Sequence, residues 1–140
     1  MDEKNIASKV IDKMYFNDAL SLWLGIERIE ESQGYCKLRM KVREEMTNGF
    51  GIAHGGISFS FADSALAFAC NSYGKHAVSI ECSIKHLKPI HVDDELIAIA
   101  KEQSRSSHLG VYEITVMNQH STLVALFSGM VYIMDKDWEI

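Results

Sequence analysis

The chain has 140 residues, of which 47% are hydrophobic, and a formal net charge of −5. A chain of this length is expected to form one domain, residues 1–140, because it can bury about two thirds of its unfolded surface. The acidic balance argues against nucleic-acid binding, which depends on clustered Lys and Arg. We therefore expect a single domain that binds a small molecule and no nucleic acid.

The cysteines and the N-terminal segment indicate a cellular location. Cys36, Cys70 and Cys82 are scattered through apolar stretches and are odd in number, which favours free thiols in a reducing compartment. The segment Met1-Asp2-Glu3-Lys4 lacks the basic and apolar regions of a signal peptide. Residues 57–73 are apolar, but they are few for a bilayer span and include a carboxylate. We expect a cytoplasmic protein that has no membrane partner.

The first third of the chain shows three periodic segments. Residues 3–18 place an apolar face opposite Asp and Lys, which predicts an amphipathic helix. The apolar run 20–29 ends at a turn-like cluster, residues 30–34, and is predicted to be a strand. Residues 35–43 alternate apolar and charged side chains, a period of two that indicates an antiparallel strand with one wet face.

The rest of the chain predicts one helix followed by strands. Residues 57–73 contain no Gly or Pro and end at Gly74, which is typical of a buried helix with a glycine stop. Strand-like runs follow at residues 78–85, 95–102, 110–118 and 123–134. The elements together predict an α+β fold in which an antiparallel sheet of about five or six strands wraps around one long central helix.

The start of that helix resembles a site for a developing negative charge. His54-Gly55-Gly56 precedes the apolar run, and glycines without a Cβ let a ligand approach the backbone. The first-turn N–H groups have no acceptor within the helix. We expect the Gly56 amide and the positive end of the helix dipole to stabilise an oxyanion.

Asp63 is the only charged residue in the helical segment. A carboxylate in apolar surroundings is costly unless it is paired, hydrogen-bonded or used in chemistry. A hydrogen bond to Ser60 or Ser64 is the structural alternative; we favour catalysis. At about 1.5 Å per residue, Asp63 lies roughly 10 Å along the helix from the Gly56 amide, too far for both to serve one carbonyl. Two antiparallel helices across a two-fold axis would bring them together, so we expect at least a dimer.

Other polar residues near the motif have structural alternatives. His54 is more readily explained as a helix cap than as a proton carrier. Asn48-Gly49 is also a good turn dipeptide, so Asn48 is balanced between a turn and a catalytic role. No metal site is expected, because no Cys pair supports one and four of the histidines lack the tight spacing of zinc ligands; these are His86, His91, His108 and His120.

The motif formed by Asn48, His54-Gly55-Gly56 and Asp63 resembles that of the hotdog-fold acyl-CoA thioesterases, in particular the PaaI-type, phenylacetyl-CoA thioesterase-like subgroup. The resemblance extends over nearly the whole chain. It implies a hotdog fold and hydrolysis of an acyl-CoA thioester, with Asp63 as general base or nucleophile and the Gly56 amide polarising the thioester carbonyl. It also implies that Asn48, near His54, orients the attacking water or the acyl group.

The resemblance carries further expectations about the site and the assembly. Ser79 matches the position of a second polar residue in some relatives. Such proteins are usually dimers of dimers and need no metal or bound cofactor, coenzyme A being part of the substrate. Five residues are candidates for substrate binding, four of them for the phosphates or the nucleotide of coenzyme A: Gly55, Lys85, Lys88, Arg105 and Ser107.

The acyl group and two other functions remain open at this point. Arylacetyl, hydroxybenzoyl and medium-chain acyl groups are all compatible with the sequence. One alternative is a hotdog-fold hydratase or dehydratase, although the spacing of His54 and Asp63 does not match the His and Asp pair expected there. The other is an acyl-CoA binding protein without turnover, which gains little from a buried acid such as Asp63.

Overall fold

The structure, a computed structural model, describes residues 2–140; Met1, part of the N-terminal segment considered above, lies outside the described residues. Within that range the chain forms three α-helices, six β-strands and a short 3-10 helix at Glu44–Met46. The helices are α1 (Glu3–Tyr15), α2 (Ala19–Leu24) and α3 (Gly55–Asn71). The strands are β1 (Glu27–Ser32), β2 (Tyr35–Lys41), β3 (Lys75–His86), β4 (Glu95–Arg105), β5 (Leu109–Met117) and β6 (Leu123–Asp137).

The six strands form one sheet in the order β1-β2-β4-β5-β6-β3, and every neighbouring pair is antiparallel. Helix α3 lies across the inner face and contacts β2, β3, β4, β5 and β6. Phe61 and Phe68 of α3 are fully buried. This arrangement confirms the predicted hotdog fold, with six strands wrapped around one central helix.

Strand alternation follows the predicted pattern. In β2, the side chains of Cys36, Leu38 and Met40 are buried, and the charged residues between them point outward. The three cysteines are free thiols, as expected, although Cys82 is only half-buried. Among residues 2–140, no helix is both long enough and apolar enough to cross a bilayer.

The prediction of a strand over residues 20–29 is wrong for its first half, which forms α2. The Asp18 carboxylate accepts from the Ser21 N–H and caps the start of this helix. Gly25 ends it in the left-handed region at φ 72°, where its N–H donates to the Leu22 carbonyl. Strong signals at both ends therefore override the apolar run. The strand begins only at Glu27 and continues through the predicted turn residues 30–32.

Strand β3 occupies one edge of the sheet and pairs only with β6. Its side chains are mostly exposed, including the apolar Val78 and Ile80, which are 48% and 56% exposed. An apolar strand with one unpaired backbone edge is a template for pairing with another chain. Because β3 follows α3 directly, this edge lies beside the predicted catalytic helix.

Candidate active site

Helix α3 begins at Gly55, two residues earlier than predicted, because His54 caps it. The Nδ1 atom of His54 accepts a hydrogen bond from the Gly56 N–H at 2.9 Å. Neutral His54 in this arrangement carries its proton on Nε2. The capping role favoured by the sequence is confirmed. The cap also occupies the Gly56 amide, which the sequence nominated as the oxyanion donor.

The Gly55 N–H is the available donor at this helix end. Among residues 2–140 it has no hydrogen-bond acceptor. It lies in a cleft of about 400 Å³, here called the N-terminal cleft, at the positive end of α3. The cleft is lined by Asn48, Ile52, Ala53, Gly55, Ser58, His86, Leu87, Lys88, Pro89 and Ile90. Three predicted site residues, Asn48, Gly55 and Lys88, therefore share one cleft.

Asn48 has its turn role in this structure. Its side-chain Oδ1 accepts from the Phe50 N–H at 2.9 Å, and its backbone carbonyl accepts from the Gly51 N–H at 3.0 Å. The Asn48 side-chain amide nitrogen makes no hydrogen bond to any of the residues 2–140. It is therefore available to a ligand in the N-terminal cleft.

Asp63 lies in a different cleft, here called the acid cleft, of about 410 Å³. Ser79 on the edge strand β3 lines the same cleft, so the structure brings these two predicted residues together. The wall is otherwise largely apolar and consists of Met14, Leu66, Ala67, Cys70, Asn71, His76, Ala77, Val78 and Trp138. Within one chain, Asp63 and Gly55 thus line separate clefts.

The surroundings of Asp63 raise the pKa of its carboxyl group. Burial is the larger cause, and the nearby negative charge of Asp18 adds to it. The structural alternative, a hydrogen bond within the helix, does not occur: Ser64 pairs with Ser21, Oγ to Oγ at 2.8 Å. The Asp63 carboxylate has no hydrogen-bond donor among residues 2–140. It is a carboxyl group in a partly desolvated site whose lone pairs remain free.

The other predicted substrate-binding residues are dispersed. Lys85 lies exposed on β3, and Arg105 lies at the end of β4, its guanidinium 3.8 Å from the ring centre of Tyr73. Ser107 is exposed in the loop after β4. None of the three lines either cleft within the described chain. Residues 2–140 also contain no group of three His, Cys, Asp or Glu placed to hold a metal ion.

The sequence reasoning missed His86, which it considered only as a zinc ligand. A Cβ placed on Gly55 would lie 3.2 Å from His86 Nε2, so this ring borders the free amide. Its Nδ1 lies 3.3 Å from Ser58 Oγ, and Ser58 Oγ donates to the Gly55 carbonyl at 3.1 Å. The signal that could have identified His86 is its position, since it is the last residue of β3, the strand that follows α3.

Comparisons with known proteins agree with this fold. The sequence profile of the thioesterase superfamily matches residues 50–125, which span α3 with Asp63 and the strands β3, β4 and β5. The chain belongs to the thioesterase superfamily. The acyl-coenzyme A thioesterase PaaI of Escherichia coli is 43% identical over 83% of this chain and 83% of its own.

Two solved structures show the same relationship. The structure of the E. coli PaaI protein from the phenylacetic acid degradation operon superposes on this chain with a TM-score of 0.95. The two sequences are 38% identical, and the match covers 97% of this chain and 99% of the other. That of a Streptococcus mutans protein bound to acetyl-CoA has a TM-score of 0.78 and 25% identity, covering 81% and 91%. The recognised resemblance to PaaI-type proteins is confirmed.

Proposed function

We propose that the protein hydrolyses aryl- or medium-chain acyl-CoA thioesters at sites formed between two subunits, with Asp63 from one and the Gly55 amide from the other. The enzyme class rests on the relatives, and the chain is an acyl-CoA thioesterase like the PaaI protein it matches at 43% identity. The observation that carries the two-subunit site is the separation of Asp63 and Gly55 into different clefts.

The exposed edge of β3 supports a two-fold arrangement. Pairing β3 with its copy in a second subunit would satisfy the open backbone edge and cover Val78 and Ile80. The two α3 helices then run antiparallel, and the N-terminal cleft of each subunit faces the acid cleft of the other. A dimer is the smallest active unit in this proposal, and pairing of two dimers accommodates the expected tetramer.

The chemistry follows from the groups in the two clefts. Attack on the thioester carbonyl creates an oxyanion, and one well-placed N–H donor is worth about 3–4 kcal/mol in such a reaction. We assign this donor to Gly55 and no longer to Gly56, because His54 holds the Gly56 amide. Asp63, whose pKa is raised, removes a proton from water or attacks the carbonyl itself. The thiolate of coenzyme A leaves as the carbonyl re-forms. Where Asp63 is the nucleophile, water then hydrolyses the acyl anhydride on Asp63, which releases the acid and restores the carboxylate. Neither metal nor bound cofactor takes part.

The remaining site residues have supporting roles in the proposal. The free Asn48 amide orients the water or the acyl oxygen, His54 Nε2–H lies at the same helix end, and Ser79 Oγ provides a polar contact beside Asp63. Lys88 in the N-terminal cleft contacts the coenzyme A portion of the substrate. Lys85, Arg105 and Ser107 would reach its phosphates only from outside the two clefts.

The first test is thiol release from phenylacetyl-, 4-hydroxybenzoyl- and hexanoyl-CoA by wild type and by Asp63→Asn. We expect free acid and coenzyme A from wild type, and a loss in kcat of about 10²–10⁴-fold in the variant. Mass spectrometry of the products separates the alternatives. The hydratase alternative needs a substrate that can add water, so trans-2-hexenoyl-CoA is included; formation of 3-hydroxyhexanoyl-CoA from it would establish a hydratase. Saturable binding of the panel without thiol release would establish a binding protein.

The second test removes the Gly55 N–H and compares this change with a variant that adds only a Cβ. Proline suits the first helical position, and the extended backbone of His54 (ψ 139°) is compatible with a following proline. Gly55→Pro should lower kcat about 10²–10³-fold, whereas Gly55→Ala adds a Cβ at the same place but keeps the donor. Loss in Gly55→Ala equal to that in Gly55→Pro would contradict the assignment of the amide.

Mixed oligomers test the two-subunit site. In a hybrid of Asp63→Asn and Gly55→Pro subunits, one of the two sites combines an intact Asp63 with an intact Gly55. Random exchange in an equal mixture makes half of the dimers hybrids, so about a quarter of wild-type activity should return. Mixing would restore nothing if both residues served a site within one subunit.

A further inference from the structure

A second hollow lies next to the acid cleft and shares two lining residues with it. The neighbouring hollow, here called the outer hollow, has a volume of about 470 Å³. It is lined by Lys13, Met14, Asn17, Asp18, Ala19 and Trp138. Met14 and Trp138 also line the acid cleft. These two residues therefore border both spaces and are here called the Met14–Trp138 partition.

Trp138 is held firmly in this position although it lies beyond the last strand. Its indole Nε1–H donates to the Asn71 side-chain oxygen at 3.0 Å, and its backbone N–H donates to the Gly74 carbonyl at 2.8 Å. Its ring stacks on His76, with centroids 4.1 Å apart and planes 9° from parallel. The side chain is thus fixed by one hydrogen bond and one stacking contact, and the backbone by a further hydrogen bond, so the indole acts as a wall and not as an adaptable filler.

The anchor is itself rigid. Asn71 is buried at the end of α3, where its side-chain nitrogen donates to the carbonyls of Ala67 and Ala77. Its side-chain oxygen accepts from the Ala77 N–H as well as from the indole. All the hydrogen-bonding capacity of this amide is used, so the indole nitrogen has one well-defined partner.

The two spaces differ in polarity. Apart from Asp63, the acid cleft is walled mainly by apolar and aromatic side chains, which suit the acyl portion of a thioester whose carbonyl lies at Asp63. The outer hollow is lined by Lys13, Asn17 and Asp18 and is open to solvent. An acyl group that enters the acid cleft meets the Met14–Trp138 partition before it reaches this polar space.

We propose that Trp138, together with Met14, closes the far end of the acyl-binding cleft and narrows the proposed substrates to aromatic acyl groups and the shorter medium chains, such as hexanoyl, while excluding longer chains such as decanoyl. This inference rests on the proposed thioesterase function and specifies its substrate class. The indole presents an aromatic surface that favours an aryl ring in edge or offset contact. Removing either side chain joins the two spaces and admits a longer aliphatic chain.

The test compares kcat/KM for decanoyl-CoA with kcat/KM for phenylacetyl-CoA. Trp138→Ala should raise this ratio by at least about tenfold, because a single methylene in an apolar pocket is already worth about ten- to two-hundred-fold. Met14→Ala should change it in the same direction. Trp138→Phe keeps an aromatic wall and should leave the ratio within a few-fold of wild type. The matched control is Trp23→Ala, which removes the chain's other tryptophan, an exposed residue that lines neither space.

The outcomes separate this inference from the function on which it rests. An unchanged ratio in a folded Trp138→Ala protein, or an equal rise in Trp23→Ala, would overturn the partition while leaving thioester hydrolysis in place. Should Trp138→Ala fail to fold, Met14→Ala decides by the same ratio, since it leaves the anchors of the C-terminal residues intact. A wild type that releases no thiol from either substrate would overturn both.

Discussion

The imidazole Nδ1 of His54 accepts the backbone N–H of Gly56, two residues further along the chain, at 2.9 Å. One side chain thus satisfies an orphan donor at the start of α3 and withholds that donor from any ligand. The next N–H toward the cleft, that of Gly55, is left available. The choice of amide at the proposed oxyanion site is a consequence of the cap.

Because His54 caps α3, replacing it should change the free energy of unfolding. His54→Ala leaves the first-turn N–H groups without a side-chain acceptor and should lower the free energy of unfolding by about 1 kcal/mol. His54→Asn supplies a good capping oxygen and should recover most of the loss. Urea unfolding followed by circular dichroism measures both variants. His120→Ala, at an exposed histidine of the β5–β6 loop, is the control, and a loss of equal size there would argue against the cap.

The negative charge of Asp18 should affect the pH dependence of kcat through the pKa of Asp63. Asp18 raises the pKa of the Asp63 carboxyl group, adding to the effect of burial. The neighbouring Cys70 thiol, with a pKa raised mainly by burial to about 12, is uncharged at neutral pH. A general base works above its pKa, so the kcat of wild type should rise with pH through the raised value for Asp63.

Asp18→Asn removes the charge but keeps a capping oxygen for the Ser21 N–H, so α2 should be preserved. The acidic limb of the kcat profile should move to lower pH, with little change at its plateau. Asp135→Asn, at an exposed carboxylate bonded to His108, is the charge-matched control. An unmoved limb in Asp18→Asn would show that burial alone sets the pKa of Asp63.

The regular elements could be predicted from the sequence because alternation and apolar periodicity are local. The six-residue α2 could not, since it is too short for a period to appear and only its caps, Asp18 and Gly25, identify it. The separation of Asp63 from the helix start followed from helix geometry. The hydrogen bond that occupies the Gly56 amide could not be predicted in this way, because it depends on the rotamer of His54. The contact between Asn71 and Trp138 joins residues far apart in sequence, which no local pattern encodes.

The close approach of α3 to the sheet predicts a steric effect at Gly129. A Cβ on this residue of β6 would lie 2.6 Å from Leu66 Cδ2, inside any tolerable contact, and Leu66 is buried. Gly129→Ala should therefore destabilise the fold by about 1–3 kcal/mol. In a Leu66→Ala background the same substitution should cost much less. Gly49→Ala, where a Cβ has nothing within 4 Å, should be nearly neutral in the same unfolding assay.

The partly buried carboxylate of Asp63 is also expected to lower the free energy of unfolding when it is charged. The pKa of Asp63 is higher in the folded protein than in an unfolded chain, so the folded state favours the protonated form. Its stabilising contribution is present at low pH and is lost as pH rises through the folded pKa. Asp63→Asn removes the destabilising charge with little change in side-chain shape. The variant should therefore be more stable than wild type at neutral pH, and it should no longer release thiol. The difference should shrink toward acidic pH, where Asp63 is neutral in both states. Thermal unfolding of both proteins across that range measures it, and a variant less stable than wild type at neutral pH would mean that the Asp63 carboxylate supports the fold.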